Sequence, residues 1–474
     1  LSTIINYEYG SDLCMNQKWK RDILVYSVLY VLLYIISLSQ FSYEFFLVLF
    51  FSLIIYGLLK HKIVELFLPF MVLQLVFPSL NSKEKLFNWF TMNVFGVSPI
   101  HILTIVIFLR FIFVTIKSKK IIVNNLMIFV IVLLIFQVSI GIFNIKIFFY
   151  RYLVDILMLF TTIVYYGYVL SQTEDNILKI YEQLTLFPYA IVWGGLFTHY
   201  FFNAPLYITI APYVAGVLIL NSFMRTTYFG RKFKKFSIFT LFVYLINKIF
   251  NQIGSMMIII IIMLLIIIII KKLLELISFK KIDFISLFMI ILILFVGSSL
   301  TYNLINEGNV VLKMKVEQIT SIFKFNPYNM RHSTAVRFLE FMNTYADMLN
   351  NNKLLLLFGK GAGGYFSDTY YPFPYFGQDD YSNTQIILRK FHTPHNSINY
   401  IFLKNGFLGL LFITVVIFKC FRGLLSNNSN DYYISLVLML IISTIMGFGI
   451  KVSIVLGLFL GLFAKRKIIV VDQL

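Results

Sequence analysis

HNSINYIFLKNGFLG, residues 395–409, carries a histidine and an asparagine straight into an apolar run long enough to begin crossing a bilayer. His395 stands at the mouth of the expected helix, with Asn396 and Ser397 as its caps. Gly406 and Gly409 follow further down, where small residues allow close packing against a neighbouring helix. The stretch closes the one long polar interval of the chain, which opens near Tyr302, and everything before that interval is a succession of apolar blocks. The expected division is therefore a scaffold that holds the chain in a membrane and a polar interval that carries any chemistry.

Composition supports that division. In 474 residues, 59% are hydrophobic, 18% aromatic and only 13% charged, whereas charged residues make up about a quarter of ordinary soluble domains. The predicted fold is an all-α polytopic membrane protein of about 12–14 transmembrane helices, each span taking about 20 apolar residues. Candidate centres lie near Tyr30, Leu53, Met71, Ile107, Val132, Phe160, Val192, Ala215, Val243, Met263, Met289, Phe407, Leu438 and Leu456. The pairs either side of Gln252 and Met446 are candidates for re-entrant segments. The organisation that follows is an N-terminal bundle over 1–300, a large loop over 301–396 and C-terminal helices over 397–474.

Orientation comes from the basic runs at Lys18–Arg21, Lys60–Lys62, Lys117–Lys120, Arg225–Lys235, Lys271–Lys281, Lys419–Arg422 and Lys465–Lys467. All fall on one side of the predicted spans. The positive-inside rule makes that side the cytoplasm, so both termini are expected inside and the loop outside. This placement accounts for the formal charge of +19 as attraction to an anionic inner leaflet and argues against a nucleic-acid partner. Cys14 and Cys420 are both expected in the cytoplasm, so no disulfide framework is implied. The block Ile23–Ser39 follows Lys18, Lys20 and Arg21 without a small-residue cleavage site and reads as a retained first helix. No inverted pair of broken helices of the transporter kind is visible.

Within the loop, a helix capped by Ser333 or Thr334 is expected to run to about Asn350. Phe338, Phe341, Tyr345 and Met348 form its apolar stripe, and Arg337, Glu340, Thr344 and Asp347 its polar face. Arg337 and Glu340 then read as a surface ion pair, although an Arg is also the natural bidentate partner of a diphosphate. Gly359–Gly364, GKGAGG, fits a dinucleotide pattern formally but opens no helix and has no Walker Gly-Lys-Ser/Thr. Two readings of it remain: backbone N–H groups presented to a ligand phosphate, or a simple flexible loop.

Asp379 and Asp380 read as a solvated pair, because adjacent side chains point apart and no metal-ligand spacing accompanies them. Arg151 and Asp155 are spaced to neutralise each other at the outer mouth of a span. Arg110 and Lys404, inside spans, should face the protein, since an isolated charge at that depth costs about 3 kcal/mol. His332, His392 and His395 fall in the outer loop, where an imidazole can take a proton near neutral pH. No second pair completes a metal site around His392 and His395.

His395, Asn396, Gly406 and Gly409 resemble the H-N-x9-G-x-x-G signature of the bacterial O-antigen ligase and O-antigen polymerase superfamily. The order of an Arg on a loop helix (Arg337), a glycine-rich turn (Gly359, Gly361, Gly364) and then the histidine is similar too, as is the Arg-bearing segment Phe149–Leu153. The resemblance implies a metal-independent, GT-C-like membrane glycosyltransferase without cofactor, working on undecaprenyl-diphosphate-linked glycans at the outer face of a bacterial inner membrane. It makes His395 the general base and Arg337 and Arg151 the diphosphate ligands, with Arg331 competing for the place of Arg337. A repeat-unit polymerase is the first expectation, a ligase to lipid A core the second, and a lipid-linked oligosaccharide flippase the third. A chain-length regulator and a flippase of the same pathway are the implied protein partners.

Overall fold

The computed structural model describes residues 2–37, 42–60, 62–64, 66–68, 99–118, 124–203, 212–223, 229–250, 317, 326–330, 332–373, 381–425, 436–437 and 453–465. Among them the chain is helical, without strands. Its helices are α1 (Ser2–Ser37), α2 (Ser42–Lys60), α3 (Pro99–Ser118), α4 (Asn125–Gly141), α5 (Ile145–Ser171), α6 (Glu174–Phe202), α7 (Pro212–Phe223), α8 (Gly230–Phe250), α9 (His332–Asn351), α10 (Leu354–Phe358), α11 (Asn383–Leu388), α12 (Ser397–Leu425) and α13 (Ser453–Lys465). The expected span centres fall in these helices, apart from Met71, Met263, Met289 and Leu438, which lie outside the described residues. Two described stretches, Asn125–Ser171 and Ser397–Cys420, are long and apolar enough to cross a membrane.

The described helices form two compact units that do not follow the expected sequential division. One contains α1, α2, α6, α7 and α8. There Lys18 of α1 pairs with Glu182 of α6 at 2.9 Å, the ring of Trp19 meets the ring of Phe233 of α8 edge-on, and Tyr189 of α6 shares a hydrogen bond with Ser237 of α8 at 2.6 Å.

The other unit contains α4, α5, α9, α10, α11 and α13, with almost all of α3 and α12. Asn124 caps α4 by accepting the N–H of Met127 at 2.9 Å, which satisfies a donor that the first helical turn leaves unpaired. Along α13, Gly457 and Gly461 lie against Thr162 and Val169 of α5, where a Cβ would collide. The polar loop has an aromatic core of its own, built on Leu339, Met348, Phe366, Phe391 and Phe402. Phe366 and Phe391 also exchange backbone hydrogen bonds of 3.0 and 2.9 Å, so the segment after the glycine-rich turn is tied to the one leading to His395.

Met348 of the expected apolar stripe of α9 is fully buried, but the face expected to be exposed is buried too. Its polar residues Glu340, Asn343, Thr344 and Asp347 are buried, while Phe341 and Tyr345 are only partly covered. The reason is that α9 packs onto the irregular loop, whose backbone and side chains offer the partners that buried polar groups need. Asn343 donates to the carbonyl of Tyr371 at 2.7 Å and accepts its N–H at 2.9 Å, and Asp347 pairs with Lys360 at 2.5 Å. Burial draws the Lys360 ammonium below its ordinary pKa, and the facing Asp347 opposes that shift.

Candidate active site

His395 lies just before α12, and Asn396 caps that helix by accepting the N–H of Asn399 at 2.6 Å, as the sequence leads one to expect. The position of Glu340 is a correction. It is not the exposed partner of Arg337 but a fully buried carboxylate, 0% accessible. Its oxygens accept from the backbone N–H of His395 at 2.9 and 3.1 Å, from Tyr381 Oη at 2.5 Å and from Asn399 Nδ2 at 3.1 Å. His395 Nδ1 is 2.5 Å from Glu340 Oε1. An ionised carboxylate can only accept, so Nδ1 is the donor of this pair and Nε2 is the ring nitrogen away from Glu340. The ring of Tyr381 meets the imidazole edge-on at 4.8 Å, so the ring is held by both residues.

Arg337 lies one turn before Glu340 on α9 and is partly buried; its carbonyl accepts Asn399 Nδ2 at 2.7 Å. Helix α9 therefore brings Arg337 and Glu340 together at the first turn of α12. Arg331 lies outside the described residues, as do Asp379 and Asp380.

The glycine-rich turn serves neither of the two roles read from its sequence. Every amide from Gly359 to Gly364 is taken by a protein acceptor. Gly359 donates to Leu355, Lys360 to Leu403, Gly361 to Lys404, Ala362 to Gln137 and Gly364 to Gly361, over 2.7–3.1 Å, while Gly363 donates to Asp155 Oδ2 at 2.8 Å. No N–H group is left for a phosphate. Gly361 has φ +69°, and a Cβ there would sit 2.5 Å from the nitrogen of Gly141, so the turn lies flush on α4. Gly406 interrupts α12 with φ 59° and ψ −153°, and its Cβ would fall 2.6 Å from the nitrogen of Gly359. Gly409, by contrast, meets chiefly its own helix at Asn405 and Ile401.

A buried ion pair completes this joint. Asp155 on α5 does not neutralise Arg151; it pairs with Lys404 of α12 at 2.7 Å and accepts Tyr400 Oη at 2.5 Å. Lys404 also donates to the carbonyl of Gly364 at 2.7 Å. The expectation that Lys404 faces the protein interior holds, and its partner is a residue that the spacing to Arg151 had disguised.

Arg151 instead borders a recess of about 410 Å3 together with Phe148, Gln385, Lys390 and His392. Phe148 leaves helical geometry at φ −139°, ψ 57° and packs its ring 5.4 Å from that of His392. The pKa of His392 is pushed down to about 4 by burial first, then by the positive charges of Arg151 and Lys404, against weaker opposition from Asp155 and the Lys390 carbonyl. Neither of its ring nitrogens has a hydrogen-bond partner of acceptable geometry.

Compared with family models, curated proteins and solved structures, the chain finds no match.

Proposed function

We propose that this protein is a multi-pass enzyme of a bacterial inner membrane that transfers a glycan chain from an undecaprenyl-diphosphate donor to a lipid-linked repeat unit, as the polymerases it resembles do. The single observation that carries this reading is the pairing of His395 with a buried Glu340. On this reading Glu340 holds the Nδ1 proton of His395 and Nε2 serves as the base. Nε2 takes the proton of the acceptor hydroxyl while its oxygen attacks the anomeric carbon. The bond from that carbon to the lipid diphosphate breaks, and the electron pair leaves with the phosphate oxygen. Glu340 stabilises the imidazolium that forms. Arg337, one turn before Glu340 on α9, is assigned to neutralise charge on the departing diphosphate. The two apolar stretches support a membrane setting.

The test is reconstitution. Purified protein in liposomes, given an undecaprenyl-diphosphate-linked repeat unit, is expected to lengthen it without any transmembrane gradient. His395→Ala should cut the rate by about a hundredfold or more while leaving the thermal transition unchanged. Normal extension by His395→Ala would overturn the assignment of the base. Extension only when lipid A core is supplied as acceptor would replace polymerase by ligase.

A further inference from the structure

The recess beside Arg151 is separate in composition from the Glu340–His395 pair and holds polar groups that the proposed transfer leaves unused. Among the described residues no carboxylate lines it. The Arg151 guanidinium lies over the Tyr150 ring at 5.9 Å, and the Lys390 ammonium lies over the Tyr365 ring at 5.0 Å. Neither makes an ion pair among the described residues. The nearby carboxylates are committed elsewhere, Asp155 to Lys404 and Asp368 to Arg389 at 2.9 Å. His392 is only 7% exposed, its backbone N–H donates to Gln385 Oε1 at 3.2 Å, and its ring nitrogens are unpartnered. Buried polar groups are nearly always hydrogen-bonded, and an orphan calls for a missing partner.

We propose that this recess binds an acidic sugar residue of the glycan, with its carboxylate between Arg151 and Lys390, a hydroxyl on His392 and its apolar face on Phe148. The inference rests on the reading of the protein as a glycan-handling enzyme. Two cations without a counter-charge among the described residues call for an anion. A bare diphosphate would answer the cations and leave the aromatic wall at Phe148 unused, whereas a sugar ring presents an apolar face to it.

Binding to the full-length protein in nanodiscs decides the matter without requiring turnover. The probes are cellobiouronic acid, its neutral counterpart cellobiose, and inorganic pyrophosphate, followed by saturation-transfer NMR and calorimetric titration. The uronate is expected to bind at least about tenfold more tightly than cellobiose, to lose about tenfold in affinity in Lys390→Gln, and to resist displacement by pyrophosphate. His392→Phe should weaken it as well, and an unchanged thermal transition in Lys390→Gln would show that the fold is intact. Equal binding of cellobiose and the uronate, no uronate binding, or full displacement by pyrophosphate would overturn the proposal, the last assigning the recess to the carrier diphosphate. An active enzyme that binds no uronate would refute the recess alone, and uronate binding without any glycan extension would refute the transfer reading alone.

Discussion

The turn at Gly359–Gly364 and the recess at Arg151 lie in one compact unit and treat their polar groups in opposite ways. In the turn, every amide, the Lys404 ammonium and the Asp155 carboxylate are answered by protein atoms. In the recess, a guanidinium, an ammonium and an imidazole border a cavity with no carboxylate among its described lining residues. A charge in low-dielectric surroundings is costly unless compensated, so a region closed by its own partners acts as a joint, and one left open waits for a ligand. The glycine motif that looks most like a binding site is the joint.

Breaking the joint should have the largest effect. Asp155→Ala leaves Lys404 buried without its counter-charge and strips acceptors from Tyr400 and the Gly363 amide. The expected loss is about 3–5 kcal/mol, read as a collapse of the thermal transition or of folded yield. A variant that melts like the wild type would show that the joint is not structural.

The glycines sharpen the same comparison on a smaller scale. Gly361→Ala combines left-handed strain of about 1–2 kcal/mol with overpacking of about 1–3 kcal/mol against α4. Gly363→Ala shares the positive φ, but its Cβ would meet nothing nearer than 3.2 Å, so strain with only mild crowding is expected. Thermal denaturation should rank Gly361→Ala clearly below Gly363→Ala, and equal losses would mean that the turn does not lie flush on α4.

The open region gives an effect that only acid reveals. Because the pKa of His392 is depressed to about 4 from 6.5, the unfolded chain binds a proton there between those values and the folded chain does not. Its contribution to stability is full above pH 6.5 and is lost as pH falls towards 4. Between pH 7 and pH 4 the thermal transition of the wild type should fall relative to that of His392→Leu, which has no imidazole to protonate. A constant offset would remove His392 from the acid sensitivity.

The helical scaffold was legible in the sequence because apolar runs declare themselves by length, and the expected centres at Ile107, Val132, Phe160 and Phe407 each fall in a helix. His395 was legible too, since a His-Asn pair ahead of an apolar helix stands out. Glu340 was not. Three residues after Arg337 on an amphipathic pattern, it carried the signal of a surface pair, and only the fold of the loop beneath α9 turns that polar face inward. The available hint was that Glu340, Asn343 and Asp347 recur at helical spacing in a loop rich in aromatics, which can form a core of its own. Asp155 was hidden by its nearer neighbour Arg151, because its partner Lys404 is remote in sequence and joined to it by packing.

The most direct test of Glu340 and His395 as one catalytic unit is a double-mutant cycle on the rate of glycan extension by purified protein supplied with a lipid-diphosphate-linked repeat unit. His395→Ala is expected to slow the reaction about a hundredfold or more and Glu340→Gln about tenfold or more, with the double variant no slower than His395→Ala alone. Losses that multiply in the double variant would mean that the carboxylate does not act through the imidazole, and a near wild-type rate for His395→Ala would contradict the base itself.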